Sequence, residues 1–543
     1  MLELLDKIDK RKLYLAIGGE KVQALEALIG SKLVAGEKKD TNLSAYILSI
    51  YGPDLLYETK IRRLFFSLID PDKLKKFAEK YAKKSFDKPL DNALTLSLCP
   101  WKKSSELVQK FAEELNIPFE YLPIATNYNQ TTEIIEPIDR FFPLHDYQVN
   151  LKDRILDELA TNTRRMLIQM PTGSGKTRTV IEALQEYIQK NNTFEEQKSI
   201  IWVAHTEELC EQAIDTFKDV WQNLADFPTH IVRCWGNYNP TSFDTMGGFI
   251  VCTFQKLYSL MKNEADIYDR LKTVLQILVV DEAHKVIAPS YSEAISDLCS
   301  ADCSSLIGIT ATPGRGTEKT EENRALADFF DKNLISPSFA GNPISELRDN
   351  KVLAHVNRRV INTNVEVPID VDDLDKIKSD FELTKSIIRN LSLNVKRNKI
   401  IIKVIRDELE KKNPCLVFSC SVDHSRLLSA ALSYYGYNSS YIDCKMRKGS
   451  RKRVVEGFRS GKYDVLFNYG VLSTGFDAPR IRTIIITRPT TSIILHSQMV
   501  GRGLRGPLMG GGEYCNLIDI KDNFLNFGGV EDVYSFFDDY WEK

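Results

Sequence analysis

Two long stretches of the chain alternate short runs of β-branched and aliphatic residues with helical patterns, and the first quarter does not. Between about 143 and 345, the runs Met166–Met170, Ser199–Ala204, Phe249–Thr253, Leu275–Val280 and Leu306–Thr310 read as strands. Helical periodicity fills the gaps, as in Lys176–Lys190 and Glu208–Asp219. From about 395 to 525 the alternation returns at Cys415–Cys420, Asn438–Ile442, Val465–Tyr469, Thr483–Thr487 and Tyr514–Ile520. Ile277–Val280 and Thr483–Ile486 are apolar on both faces, which suits parallel strands covered by helices. The pattern predicts an α/β protein with two tandem parallel-sheet domains, 141–345 and 346–543, that bind ligands at the carboxyl edges of their strands.

Residues 1–140 form the remaining, accessory region. Its early stretches read as amphipathic helices, with a few strands between Ala93 and Glu120, and Asn127–Ile138 lacks a clear period and reads as a linker. Within 60–88 ten basic residues face four acidic ones, an excess of +6. That excess is either a solvated helix face or a contact surface for a polyanion.

A length of 543 residues allows several domains, and 43% hydrophobic with 27% charged residues excludes a disordered or collagen-like chain. With 72 Lys and Arg against 74 Asp and Glu, the net charge is −2, so any affinity for a polyanion must come from local patches. Ten scattered cysteines contain no Cys-x-x-Cys pair, which argues against a disulfide framework or zinc site and for a reducing cytoplasm. No apolar run reaches the ~18–20 residues that span a bilayer, and the opening Met1–Lys12 carries charge inside its apolar stretch, unlike a secretion signal.

The chemistry concentrates after Met170. Pro171-Thr172-Gly173-Ser174-Gly175-Lys176-Thr177 joins a predicted strand to a predicted helix. Glycines let backbone N–H groups curl around phosphate oxygens, the helix start adds positive potential, Lys176 reaches the terminal phosphates and the Thr177 hydroxyl is placed to ligate Mg²⁺. Met170 stands where the usual pattern has its first glycine. About a hundred residues later the strand Leu275–Val280 ends in Asp281-Glu282-Ala283-His284. At the tip of a neighbouring strand, Asp281 suits the metal shell and Glu282 suits a base for the attacking water. Arg502 and Arg505, three apart, suit a pair of guanidinium groups pointing into a cleft.

With Tyr147-Gln148, this loop, the acidic box, Thr310-Ala311-Thr312, Ser473-Thr474-Gly475-Phe476-Asp477 and Gln498-Met499-Val500-Gly501-Arg502-Gly503-Leu504-Arg505 in that order, the chain resembles a superfamily 2 helicase with a DEAH-type box. The resemblance covers about two thirds of the chain. It implies two RecA-like domains with ATP and Mg²⁺ between them, Gln148 on the adenine, and Gly475 and Asp477 on the nucleotide. It also implies that Arg502 and Arg505 act as arginine fingers beside Gln498, and that His205, Thr253, Gln255, Ser421 and Thr474 lie along a nucleic-acid path.

Ala204-His205-Thr206-Glu207-Glu208-Leu209 and Gly501-Arg502-Gly503-Leu504-Arg505 look most like the RadD, XPB and type I restriction motor group, which implies DNA as the substrate. Only 20 residues separate Asp477 from Gln498, too few for a strand-separating hairpin insertion. The alternatives are a DNA-sensing or motor subunit of a restriction or phage-defence complex without unwinding of its own, and an RNA helicase. The accessory region is read as a contact for DNA, regulation or a protein partner. It holds no histidine, and Pro53-Asp54 followed by Glu58-Thr59-Lys60 is too tightly spaced for a nuclease site of the PD…ExK kind.

Overall fold

The computed structural model describes residues 1–33, 43–102, 105–123, 132–135, 143–161, 164–236, 238, 247–300, 304–314, 320–339, 343–365, 384–443, 446–471, 478–489 and 499–522. Before Thr132 the described residues contain helices and no strand. The strands expected between Ala93 and Glu120 are therefore replaced by the helices Pro89–Ser97 and Glu106–Leu115. Leu94-Thr95-Leu96-Ser97-Leu98 alternates as a strand would, but Pro89 is set to open a helix, and burial follows Ala93 and Leu96, three residues apart.

Part of the positive excess in 60–88 is spent within this helical region. Lys73 pairs with Glu114 at 2.8 Å and Lys80 with Glu106 at 2.6 Å, both partners lying outside the stretch. Arg62 is buried and donates to the carbonyls of Leu56 and Ser97.

Eight strands build the first sheet: β1 (Thr132–Ile135), β2 (Arg165–Gln169), β3 (Ser199–Ala204), β4 (Thr229–Cys234), β5 (Gly248–Thr253), β6 (Leu275–Asp281), β7 (Ser305–Thr310) and β8 (Leu334–Ile335). Their order is β1-β4-β5-β3-β6-β7-β2-β8, parallel throughout except for β1, which runs antiparallel to β4. The stretch expected to be a linker thus contributes an edge strand. The strands β3 and β5 are buried at every position, as their unbroken apolar runs require.

The second sheet comprises β9 (His355–Asn362), β10 (Cys415–Phe418), β11 (Ser439–Asp443), β12 (Val465–Tyr469), β13 (Thr483–Ile486) and β14 (Tyr514–Lys521), in the parallel order β11-β12-β10-β13-β14-β9. These are two tandem RecA-like α/β domains, called here the first and second lobes. Among the described residues no helix is long and apolar enough to cross a membrane.

The helical region shares a continuous apolar core with the second lobe: Leu25, Leu28, Ile47 and Ile50 belong to the same cluster as Ile405, Leu427, Leu428 and Ala431. Polar contacts fix the docking. The Tyr435 hydroxyl donates to the Leu28 carbonyl at 2.9 Å, the Tyr441 hydroxyl donates to the Ile50 carbonyl, and Lys21 pairs with Asp423 at 2.7 Å.

Within the second lobe a fully buried Arg397 donates to Asp522 at 2.7 Å, to the Thr487 carbonyl and to Cys420 Sγ at 3.6 Å, tying the strand-end loop after β10 to the ends of β13 and β14. Beside it, Asn398 and His424 meet at 2.9 Å and the Cys420 N–H donates to His424 Nδ1. A buried ion pair that loses one partner strands the other charge. Arg397→Met is expected to destabilise the second lobe by about 3–5 kcal/mol, read as a lower urea midpoint for that lobe; an unchanged midpoint would contradict this account.

Candidate nucleotide seam and strand cleft

The phosphate loop leaves the carboxyl end of β2 and runs into the helix Lys176–Asn191. Gly173 (φ +88°) and Gly175 (φ +84°) both take the left-handed conformation, which a side chain disfavours, and this lets the loop wrap toward the helix start. The Ser174 hydroxyl donates to the Pro171 carbonyl at 2.7 Å and is buried, so it braces the loop. Lys176 and Thr177 open the helix, where free N–H groups and the helix dipole favour an anion. Thr172 lies in the same turn.

Gln148 is only 3% exposed, and its amide is used by the loop. It accepts from the His145 N–H at 3.0 Å and donates to Thr179 Oγ1 at 3.1 Å and the Ser174 carbonyl at 3.4 Å. The neighbouring Tyr147 hydroxyl donates to the same Ser174 carbonyl at 2.7 Å, and its ring stacks between His145 and Phe339. In this structure the pair therefore clamps the loop from behind.

The acidic box closes the other side. Asp281 ends β6, which is separated from β2 by β7. The two strands are thus not adjacent, contrary to the sequence expectation, and Thr310 at the end of β7 stands between them. Thr310 Oγ1 lies 3.2 Å from His284 Nδ1 and donates to the Thr312 carbonyl at 2.9 Å, while the same His284 nitrogen is 3.4 Å from Glu282. Glu282 adopts φ +52°, uncommon for a residue with a side chain, and its N–H donates to Asp281 at 2.9 Å.

Burial and the neighbouring Glu282 push Asp281 up to about 7, with Lys176 pulling the other way. Burial also works upward on Glu282, but His284, Lys176, Lys285 and Arg502 outweigh it and hold this carboxyl below its usual range. The Lys176 ammonium is depressed by burial, with Glu282 and Asp281 opposing the fall.

The second lobe supplies the opposing wall. A Cβ built on Gly173 would stand 3.5 Å from Arg505 Nη1 and 3.6 Å from the Gly501 carbonyl, so the segment bearing both arginines lies directly over the phosphate loop. Arg502 is 7% exposed, and its charge acts on Lys176, Asp281 and Glu282; that of Arg505 acts on Lys176. The structure thus brings Lys176, Asp281, Glu282, Arg502 and Arg505 to one seam. Gly475, Asp477, Thr474 and Gln498 lie outside the described residues.

A second opening between the lobes, a cleft of about 750 Å³, is lined by His205, Thr253 and Gln255 at the ends of β3 and β5 and by Met446, Arg447 and Arg451 from the other lobe. Thr253 caps the helix Phe254–Asn263, and Gln255 donates to the Tyr291 hydroxyl at 3.1 Å. Burial and Lys285 lower His205 to about 4, so its ring is neutral near pH 7. An ion pair between Arg451 and Glu208 crosses from lobe to lobe. Ser421 sits apart from this lining; it caps the helix Val422–Tyr434 and meets Ser392 at 3.0 Å. Sequence reasoning passed over Arg447, Arg451 and Glu208. The dense basic run Arg447-Lys448-Gly449-Ser450-Arg451-Lys452-Arg453 directly after β11 was the available signal.

Comparison with known proteins agrees with this geometry. Residues 141–315 match the family model described as type III restriction enzyme, res subunit, and residues 396–506 match the helicase conserved C-terminal domain. A putative ATP-dependent helicase of Saccharomyces cerevisiae, IRC3, is 28% identical over 69% of this chain and 51% of its own length. The endonuclease subunit of the type I restriction enzyme EcoAI of Escherichia coli is 21% identical over 69% of this chain and 46% of its own. The chain therefore spans about half the length of these relatives. Among solved structures, the helicase MrfA bound to DNA superposes with a TM-score of 0.50 at 14% identity, over 73% of this chain and 55% of that one, a likeness of fold. The two family models fall on the two lobes in chain order, one over the phosphate loop and acidic box and the other over the arginine segment. The chain belongs to the superfamily 2 helicases.

Proposed function

We propose that the chain is an ATP-driven motor on nucleic acid, with DNA as its strand. The observation that carries this reading is the arginine segment of the second lobe standing over the phosphate loop of the first. A triphosphate bound there has Lys176 and the helix N-terminus beneath it and Arg502 and Arg505 above it. Charge that spreads over the terminal phosphate oxygens during transfer meets planar guanidinium donors already in position. Glu282, held ionised by its cationic neighbours, accepts the proton of the attacking water. Gln148 keeps the loop in shape.

The fold family implies a divalent cation beside the triphosphate. The Thr177 hydroxyl and the Asp281 carboxylate fit it: both are hard oxygen donors, and the Asp281 charge already bears on Lys176 at the loop. When bound, such a cation neutralises phosphate charge.

Because the nucleotide joins surfaces of two lobes, its hydrolysis loosens their apposition, and the cleft lined by His205, Thr253 and Gln255 changes shape with it. Hydroxyls and amides on those strand ends grip phosphates without reading sequence. DNA is favoured because the matched family model and the EcoAI relative carry restriction-enzyme names. The same names support a second reading, a motor or DNA-sensing subunit of a restriction or phage-defence complex that does not separate strands itself.

Glu282→Gln is expected to retain ATP binding while turnover falls by about 10²–10⁴-fold; retained turnover would mean that another group is the base. Arg502→Ala and Arg505→Ala should each slow hydrolysis by roughly 10³-fold in a phosphate-release assay, and full activity of both would remove the seam from the mechanism. ATPase assays with single-stranded, duplex and forked DNA and with RNA should show stimulation by DNA that declines steeply with salt. Absence of stimulation by any polymer would overturn the motor, whereas triplex displacement without fork unwinding would select the second reading.

A further inference from the structure

Among the described residues, the helical region reaches the lining of the inter-lobe cleft through Arg447 of the second lobe. Arg447 leaves the chain just after β11, lines the cleft together with His205, Thr253 and Gln255, and is gripped by Pro53, Asp54, Tyr57 and Leu122. Its Nε donates to Asp54, its Nη2 donates to the Pro53 carbonyl at 2.9 Å, and its guanidinium lies 4.4 Å from the centroid of the Tyr57 ring. Asp54 also accepts from Ser450 Oγ at 3.2 Å and from the Arg447 N–H at 3.4 Å, so one carboxylate fixes both backbone and side chain of this turn.

The remaining contacts of the guanidinium are long: Nη1 lies 3.4 Å from the Leu122 carbonyl and 3.5 Å from the Tyr57 hydroxyl. A guanidinium has five N–H groups. Asp54 and Pro53 take the Nε–Nη2 edge firmly, and Nη1 makes only these two long contacts, while Arg447 itself lines the cleft. An arginine held along one edge by a carboxylate and stacked on an aromatic ring has little rotamer freedom left to lose when a second anion arrives.

We propose that Arg447 is a phosphate contact of the strand that lies outside the helicase motifs, and that Asp54 of the helical region is the positioning residue that aims it. The inference rests on the strand-motor reading of the same cleft. It gives the first 122 residues a defined role. Docked on the second lobe through a shared core, they set that lobe's grip on the strand. The Pro53-Asp54 pair, set aside as a nuclease element, is used here to hold a cation.

The test measures binding of a fluorescent 30-nucleotide oligo-dT and a 30-base-pair duplex to the full chain across a salt series, by anisotropy. Arg447→Ala is expected to weaken binding about five- to tenfold and to flatten the slope of log affinity against log salt by about 0.7–0.9, the loss of one phosphate contact. Arg447→Lys should keep most of the slope while losing part of the affinity, since it retains the charge without the fork. Asp54→Asn should weaken binding about threefold, a smaller loss because the cation stays and only its aim is lost.

Tyr441→Phe removes a docking contact between the Tyr441 hydroxyl and Ile50, in place of one at the cleft lining, and should leave affinity and slope as in the wild type. If Tyr441→Phe weakens binding as Arg447→Ala does, the effect is loss of docking and the proposal falls. Wild-type binding with an unchanged Arg447→Ala overturns this inference alone. A wild-type chain that binds neither oligonucleotide overturns the motor reading together with it.

Discussion

The structure turns on a cluster of charges that neither lobe could hold alone. Lys176, Asp281 and Glu282 come from the first lobe, Arg502 and Arg505 from the second, and all five meet in a crevice where burial penalises charge. Each first-lobe group shows the strain: burial lowers the lysine, raises Asp281 and works upward on Glu282, and each is partly rescued by an opposite charge across the loop. Three cations against two carboxylates leave the seam short of negative charge, which the triphosphate of the proposed function would supply. Low effective dielectric strengthens those attractions, so nucleotide and lobe apposition stabilise each other.

Since Leu25, Leu28, Ile47 and Ile50 of the helical region pack into the core of the second lobe, the two share one packed core. Opening that interface would expose a large apolar surface, at roughly 25 cal/mol per Å², whereas the lobe-to-lobe contacts at the cleft are mostly polar, including the Arg451–Glu208 pair. At the cleft, the boundary between the lobes is therefore more polar than the one between the helical region and the second lobe.

Most of this was legible from residues whose neighbours in sequence are also their neighbours in chemistry. The phosphate loop, the acidic box and the arginine segment are each contiguous, and strands such as β3 and β6 declare themselves by apolar runs that only a sheet covered on both faces accommodates. What escaped depends on distant partners. The strand β9 ends the second sheet with Asn357, Arg358 and Arg359 exposed, and only its pairing with β14 marks it as a strand. The helix Pro89–Ser97 looks like a strand because its leucines alternate locally, and only its burial shows the longer period. The helical region's role was out of reach for the same reason: Asp54 and Arg447 are nearly four hundred residues apart, and nothing in either local sequence names the other.

The two openings between the lobes share one sheet edge, and this makes coupling between them short. The ends of β3 and β5 carry His205 and Thr253 into the strand cleft, while the ends of β2, β7 and β6 carry the phosphate loop, Thr310 and Asp281 into the seam. In the sheet order β5-β3-β6-β7-β2, the cleft strands lie directly beside the seam strands, with β3 hydrogen-bonded to β6. Electrostatics crosses the same border: Glu282 and Lys285 both act on the His205 ring, and Glu282 is linked through His284 to Thr310. Under the proposed function, a change of charge at the seam would reach the cleft through side chains on adjacent, hydrogen-bonded strands. The second lobe faces both openings with cationic segments, one over the phosphate loop and one beside Asp54.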